Sequence, residues 1–183
     1  EDVDDPHIPL LIWWAIEDKA ISDREWVLEL LSEQSRWSQP LVKKTILERL
    51  ARRYAAEGEE ADFESCALLM AHAPGEFETS LLIEGMEQGL QGRRRDNVPR
   101  AMNKPLAKLW ESRKFDPTFL RFAIRLGSEG ALNEALRQVP DNQTPEKTRL
   151  QLLQVLGQTG GDEIVSELLA LLNDETPESV RGG

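Results

Sequence analysis

The chain has 183 residues, of which 40% are hydrophobic and 30% charged, a composition that excludes an intrinsically disordered chain. Its formal net charge of −11 disfavours phosphate backbones and anionic lipid surfaces, so nucleic acid and membranes are not expected as partners. The single cysteine, Cys66, excludes an intrachain disulfide and any cysteine pair for a metal or a tethered haem.

The first predicted helix contains the longest apolar run of the chain, residues 8–16, within the segment DDPHIPLLIWWAIED. We expect the residues that precede Pro6 and Pro9 to be extended, because a residue before proline avoids the helical region. The run is shorter than the ~20 apolar residues that a membrane-spanning helix needs. We therefore expect this segment not to insert into a membrane.

His7, Trp13 and Trp14 are the candidate interaction residues of this first segment. Adjacent residues diverge by about 100° on a helix, so one tryptophan is expected to pack inward and the other toward a neighbour or an edge. Three roles are possible for His7: a structural cap of the helix, a contact with a neighbouring domain, or catalysis. A catalytic site would require a pocket that joins His7, Glu17 and a tryptophan, and no catalytic motif accompanies them. We predict no catalytic, metal or cofactor-binding residue, and no cofactor.

Apolar residues recur at the helical spacing i, i+3, i+4 through the rest of the chain and predict helices joined by short loops. One stripe consists of Val42, Ile46, Leu50 and Tyr54, with Leu47 and Ala51 beside it. Helix starts are predicted from a capping box of Ser22 with Glu25 and from Pro40, Pro117 and Pro145. Helix ends are predicted at Gly58, Gly127 and residues 160–161. Cys66, Trp26, Trp37 and Trp110 have apolar neighbours and are expected to be buried.

Arg93, Arg94 and Arg95 form a predicted basic loop, since they follow Gly92 and precede residues 97–99, Asn-Val-Pro. Residues 91–126 carry ten Arg and Lys against three Asp and Glu, whereas the first 35 residues carry two against ten. A basic loop of this kind suits intramolecular salt bridges, an acidic protein partner or, as a further alternative, nucleic acid.

The strongest pattern is an internal repeat. The motif TPEKTR at residues 144–149 returns as TPESVR at residues 176–181, 32 residues later, after a helix, a Gly-Gly turn and a second helix. The unit resembles a HEAT repeat, and earlier first helices are expected to begin near residues 7, 40, 77 and 116. We predict an all-α fold, a right-handed α-solenoid of about five degenerate HEAT-like helix pairs, as a single domain over residues 1–183.

The segment DPHIPLLIWWAIE, residues 5–17, resembles the segment that introduces the HEAT-repeat region in large multidomain proteins of planctomycete-type bacteria. These proteins are usually described as membrane-bound dehydrogenase-like, with a sugar-dehydrogenase-like β-propeller before the repeats and a c-type cytochrome domain after them. The resemblance implies an exported, periplasmic protein in which this chain is one piece of a longer polypeptide. The chain itself has neither a propeller nor a CxxCH motif, so no redox site is carried over to its residues.

We therefore predict a non-catalytic helical-repeat scaffold. It would position flanking domains of the same polypeptide, propeller-like and cytochrome-like as the resemblance implies, or dock another protein. The alternative is a nucleic-acid-binding HEAT-like module that uses Arg93, Arg94 and Arg95, although the acidic charge of the chain argues against this partner.

Overall fold

The computed structural model describes residues 2–159, and this part of the chain contains helices and no strand. The prediction of an all-α fold is confirmed for this range. Ten α-helices occur in it: α1 Ile8–Ser22, α2 Arg24–Leu30, α3 Gln34–Trp37, α4 Leu47–Glu57, α5 Glu60–His72, α6 Glu76–Gly89, α7 Asn103–Arg113, α8 Pro117–Arg125, α9 Glu129–Gln138 and α10 Glu146–Thr159. A π-helix, Val42–Ile46, leads into α4, and short 3₁₀ helices cover Asp2–Asp4 and Arg100–Met102.

Helices begin where the local sequence predicts them. Helical structure starts at Ile8, Pro40, Glu76 and Pro117, so the four expected starts are confirmed. At α8 the Asp116 carboxylate caps the helix by accepting hydrogen bonds from the backbone N–H groups of Thr118, at 2.9 Å, and Phe119, at 3.4 Å. Gly58 and Gly127 end helices in the left-handed region, with φ of 82° and 91°.

Two predictions at the first helix are wrong. Ile8 is expected to be extended because it precedes Pro9, but it is the first residue of α1. A proline in the first turn is tolerated because the N–H groups of that turn have no acceptor within the helix. Ser22 forms no capping box with Glu25. It is the last residue of α1, and its hydroxyl donates to the carbonyl of Asp18 at 2.9 Å.

The chain divides into two compact units, each with its own core. In the described range, unit 1 holds residues 2–91 and 99–108, and unit 2 holds residues 92–98 and 109–159. Large buried side chains of unit 1 include Trp37, Tyr54 and Phe63, and those of unit 2 include Phe119 and Phe122. Since residues 160–183 lie outside this range, one repeat domain over residues 1–183 stays a prediction.

The stripe predicted for residues 42–54 forms the centre of unit 1. Ile46, Leu50 and Tyr54 are buried, as are Leu47 and Ala51 beside them. Cys66 is also buried, as predicted, and burial raises the pKa of its thiol. Burial likewise raises the pKa of Tyr54 to about 12. These groups are neutral at pH 7 and belong to the core.

Helices α4 and α6 of unit 1 approach each other unusually closely. Gly85 faces the backbone of α4, and a Cβ at this position would lie 2.1 Å from the carbonyl oxygen of Glu48. One turn later, a Cβ on Gly89 would lie 2.6 Å from the carbonyl oxygen of Arg52. Because both contacts join residues 37 positions apart and advance together, the two helices run parallel.

A partly buried ion pair connects α2 and α5. The Arg24 guanidinium pairs with the carboxylate of Asp62, which is buried, and lies 5.9 Å from the centre of the Tyr54 ring. Asp62 also accepts a hydrogen bond from the backbone N–H of Glu59 at 3.0 Å, and together they form the capping box of α5. The Asp62 carboxylate thus both caps the start of α5 and balances the positive charge of Arg24.

In unit 2, the loop of residues 92–98 packs against the end of α8. The backbone N–H of Arg95 donates to the carbonyl of Arg125 at 2.9 Å. Gly127 lies so close to this loop that a Cβ would come within 2.6 Å of the Arg95 carbonyl oxygen. The buried Arg125 side chain donates to the amide oxygen of Gln158 in α10 at 2.8 Å, which joins α8 to α10.

The three predicted aromatic anchors differ in burial. Trp37 is fully buried, and its indole N–H donates to the carbonyl of Leu31 at 2.7 Å. Trp110 is half-buried, with its ring centroid 6.3 Å from that of Phe119. The prediction for Trp26 is wrong: it is exposed, because the short helix α2 buries Val27 instead.

Only the first copy of the internal repeat falls in the described range. In it, α10 begins one residue after Pro145, and Arg149 is buried with its guanidinium 3.3 Å from the side-chain oxygen of Asn142. The second copy at residues 176–181 and the predicted helix end at 160–161 lie outside the described residues.

Candidate functional site

The segment ahead of α1 is held by Asp5 and not by His7. The Asp5 carboxylate accepts hydrogen bonds from the backbone N–H groups of Ile8 and His7, both at 2.8 Å. These two bonds lower the pKa of Asp5 below its ordinary value. His7 is exposed and its side chain makes no capping hydrogen bond to α1, so of its three interpretations the structure disfavours the cap.

Helix α1 separates its two tryptophans, as predicted. Trp13 is buried with 5% of its surface exposed, whereas Trp14 is 59% exposed. Leu10, Leu11 and Ile21 are exposed on the same side of the helix as Trp14, within an arc of about 100°. We call these four residues, Leu10, Leu11, Trp14 and Ile21, the outer face of α1. Leu10, Leu11 and Trp14 lie within about one turn of each other and Ile21 lies two turns further along, and large exposed apolar side chains on one helix face are the kind of surface that marks an interaction site.

A shallow groove runs along the C-terminal half of this face. Its volume is about 590 Å³, and its lining includes Trp14 and Ile21 together with Glu17, Asp18 and Arg53. Arg53 pairs with Glu57 of its own helix. His7 does not line the groove, so the pocket of His7, Glu17 and a tryptophan that a catalytic role would require is not formed here.

The outer face belongs to an acidic segment of the sequence. The first 35 residues contain ten acidic and two basic side chains, and both basic ones are paired. Lys19 lies 3.1 Å from the neighbouring Asp18, and Arg24 is paired with Asp62. Beside Trp14 and Ile21 the groove has the carboxylates of Glu17 and Asp18, and an apolar surface with such carboxylates complements an apolar surface with basic residues at its edge.

The basic loop of residues 93–95 belongs to unit 2, whereas His7, Trp13 and Trp14 belong to unit 1. Arg93 and Arg94 are exposed, and Arg95 is half-buried. Arg93 and Arg95 each have an interaction partner, so neither is a free cation.

Sequence analysis singled out Trp14 but missed the three aliphatic residues that complete the outer face. The available signal was the composition of α1, IPLLIWWAIEDKAIS, which has too many apolar residues for one buried side. Between residues 2 and 159, no three His, Cys, Asp or Glu residues are grouped so as to hold a metal ion. Nor does any helix in that range combine the length and apolar character needed to cross a membrane.

Comparison with known proteins adds no assignment. No protein-family model, curated protein or solved structure matches this chain. Its function is therefore argued from the outer face of α1 and from the packing of the helices.

Proposed function

We propose that this chain is a non-catalytic helical-repeat scaffold that docks a protein surface through the outer face of α1. The fold proposed for it is the right-handed α-solenoid of HEAT-like helix pairs, in which each pair stacks on the next. A single helix pair cannot cover its own apolar side, so stacking is what makes such a fold stable.

The spacing of side-chain contacts supports the repeat. In unit 1, Arg24 and Asp62 are 38 residues apart, Gln88 and Glu48 are 40 apart, and the Glu60 carboxylate and the backbone N–H of Ala101 are 41 apart. In unit 2, Arg125 and Gln158 are 33 residues apart. The separation in unit 2 is one residue longer than the 32-residue offset of the repeated motif, and those in unit 1 are six to nine residues longer, as expected when equivalent helices of successive pairs of variable length lie side by side.

The parallel course of α4 and α6 supports the same proposal. In stacked helix pairs, the first helix of one pair lies parallel to the first helix of the next. Lys43 pairs with Glu78 at 2.7 Å, and further along the same two helices Gly85 lies against Glu48, as this arrangement requires. Under this proposal, α4 and α6 are successive first helices.

The observation that carries the docking role is the exposure of Trp14 together with Leu10, Leu11 and Ile21. Tryptophan is enriched among the residues that contribute most to protein–protein binding, and large aliphatic neighbours exclude water from it. Extended helical repeats bind through such surfaces and not through deep pockets.

The partner follows from the surface and from the resemblance. The acidic surroundings of the outer face favour a protein surface with basic residues at its edge. In the proteins that residues 5–17 resemble, the neighbouring domain is propeller-like, with a cytochrome-like domain beyond the repeats. Docking such a domain of the same polypeptide, in an exported protein, is the form of the proposal we favour.

Limited proteolysis of the polypeptide that carries this chain with its neighbouring domains tests the proposal. Trp14→Ala is expected to accelerate cleavage between this chain and the docked domain, because the contact loses its largest apolar side chain. Phe115→Ala is the matched control, since Phe115 is exposed to a similar extent, 63%, in unit 2. Equal cleavage rates for the Trp14→Ala variant and the unmodified polypeptide would contradict the docking role.

A further inference from the structure

Unit 1 contains an apolar pocket on the side of α1 opposite Trp14. The pocket has a volume of about 220 Å³, and Ile12 and Ile16 form its α1 wall. Nine of its eleven lining residues are aliphatic, and they come from α1, α2, the chain between α2 and the π-helix, the π-helix itself and α4. A hollow lined mainly by aliphatic side chains favours small apolar molecules or the apolar part of a larger ligand.

The π-helix forms one wall of this pocket. Val42 and Ile46 line it, and the backbone N–H of Leu47 donates to the Val42 carbonyl five residues back, the hydrogen bond that defines a π turn. π turns are rare and occur mostly at functional sites, where one additional residue changes the direction of the side chains. The irregular helix therefore coincides with the pocket and independently points to a binding role.

The other two lining residues are polar, Arg36 and Gln39. The Nε atom of Arg36 donates to the Glu33 carboxylate at 3.1 Å, and its side chain is 42% exposed. Within residues 2–159 the Arg36 side chain makes this one hydrogen bond. Its two terminal nitrogens can therefore donate to a further acceptor. Two parallel donors at fixed spacing match a carboxylate.

We infer that this pocket binds a linear aliphatic monocarboxylate of about six to nine carbons, with its chain among the aliphatic side chains and its carboxylate on Arg36. The size follows from comparison with an apolar cavity of ~150 Å³, which holds the six carbons of benzene. The head group follows from the guanidinium of Arg36 and the amide of Gln39 at the same pocket. This inference does not depend on the scaffold role.

Methyl NMR of the 183-residue chain tests the inference, with octanoate, octan-1-ol, octylamine and butanoate as probes below their micellar concentrations. Octanoate is expected to shift the methyl signals of Ile12, Ile16 and Ile46 saturably. The exposed Leu68 and Leu150, which are not in the pocket, serve as reference signals. Each methylene added between butanoate and octanoate should tighten the Kd about fourfold, as for full burial of a CH₂ group.

Arg36→Gln tests the head group. Octanoate should bind about tenfold more tightly than octan-1-ol because its carboxylate forms charge-assisted hydrogen bonds. Arg36→Gln should abolish this preference and leave the binding of octan-1-ol unchanged. Arg53→Gln, an arginine in the groove of the outer face, is the control and should keep the preference. Since Arg36 is partly exposed, circular dichroism is expected to show an intact fold.

Three results would overturn the inference. The absence of saturable shifts at the three isoleucines would exclude a binding pocket, and equal shifts at Leu68 would mean nonspecific association. Equal affinity for octanoate and octan-1-ol, or for octanoate and octylamine, would exclude a carboxylate ligand and leave an apolar molecule or a protein side chain as the occupant.

Discussion

Helices α1 and α4 differ in how they use their apolar residues. Helix α4 has the sequence LERLARRYAAE and buries five of its six apolar side chains. Helix α1 has ten apolar side chains, with the sequence IPLLIWWAIEDKAIS, yet only Trp13 and Ala20 are buried. A helix that is apolar around most of its circumference belongs in a core or in an interface. The comparison therefore indicates that unit 1 covers the apolar side of α4, whereas part of the apolar surface of α1 remains exposed.

Replacing each tryptophan of α1 in turn separates its inner and outer sides and should give the largest effect. Trp13→Ala is expected to lower the free energy of unfolding by about 4 kcal/mol, because it leaves a cavity in unit 1. Trp14→Ala should change it by less than about 0.5 kcal/mol, since the side chain is mostly exposed. Urea unfolding of the 183-residue chain measures both. A similar loss for the two variants would mean that Trp14 is packed within this chain.

Adding a methyl group to Gly85 breaks the close contact of α4 and α6. A Cβ at Gly85 would lie 2.1 Å from the Glu48 carbonyl oxygen, so the helices must move apart. We expect Gly85→Ala to destabilise the chain by about 2–3 kcal/mol, even though alanine favours the helix.

Gly157→Ala is the matched control for Gly85→Ala. Gly157 lies in α10, and a Cβ there would meet no atom of residues 2–159 within 4 Å, so alanine should stabilise the chain by roughly 0.5–1 kcal/mol. The two substitutions are chemically identical, and guanidinium unfolding should therefore show opposite signs. Destabilisation of equal size by both would contradict the close packing of α4 and α6.

The smallest expected effect concerns the ion pair beside this contact. The Lys43 ammonium donates to the buried Glu78 carboxylate and lowers its pKa below the ordinary value of 4.5. Because the pKa in the folded chain is lower than in the unfolded chain, the pair stabilises the fold above pH 4.5, and this contribution is lost as the pH falls through the folded pKa.

Glu78→Gln should therefore destabilise the chain by about 1 kcal/mol at pH 7, and the difference from the unmodified chain should shrink below pH 4.5. Thermal unfolding at several pH values measures it. Glu84→Gln, at an exposed position of the same helix, is the control and should have no effect. A difference that grows toward low pH would mean that Glu78 is stabilised in its protonated form.

Helix starts and ends were predictable because their signals are local. Pro40 and Pro117 fit a first helical turn in any surroundings, and Gly58 and Gly127 take the left-handed conformation that ends a helix. The capping box was assigned wrongly because Ser22 with Glu25 matches the usual pattern by sequence alone. The observed box, Glu59 with Asp62, has a glutamate at the first position and escapes that pattern.

The site was less predictable because it depends on what other helices cover. Gly85 and Gly157 are both glycines within helices, and only the structure shows that Gly85 touches a neighbouring backbone whereas Gly157 touches none within the described part of the chain. In the same way, the apolar excess of α1 was visible, but the exposure of Leu10, Leu11 and Ile21 was not.

The π-helix had a signal that a stricter analysis of spacing would detect. Residues 42, 46, 50 and 54 are four apart, which exceeds the 3.6 residues of an α-helical turn. In a regular α-helix, residues four apart drift gradually around the helix and away from the core. The π-helix Val42–Ile46 has more residues per turn, which reduces this drift and keeps the stripe facing the core.

Hydroxyl-radical footprinting of Trp14 tests the central claim most directly, namely that the outer face of α1 is covered by another protein surface. Trp14 is expected to be oxidised rapidly in the 183-residue chain, since 59% of it is exposed, and several-fold more slowly when the domains proposed to flank this chain are joined to it. Phe115, the exposed aromatic residue of unit 2, provides the reference rate. Equal oxidation of Trp14 in both forms would contradict the claim.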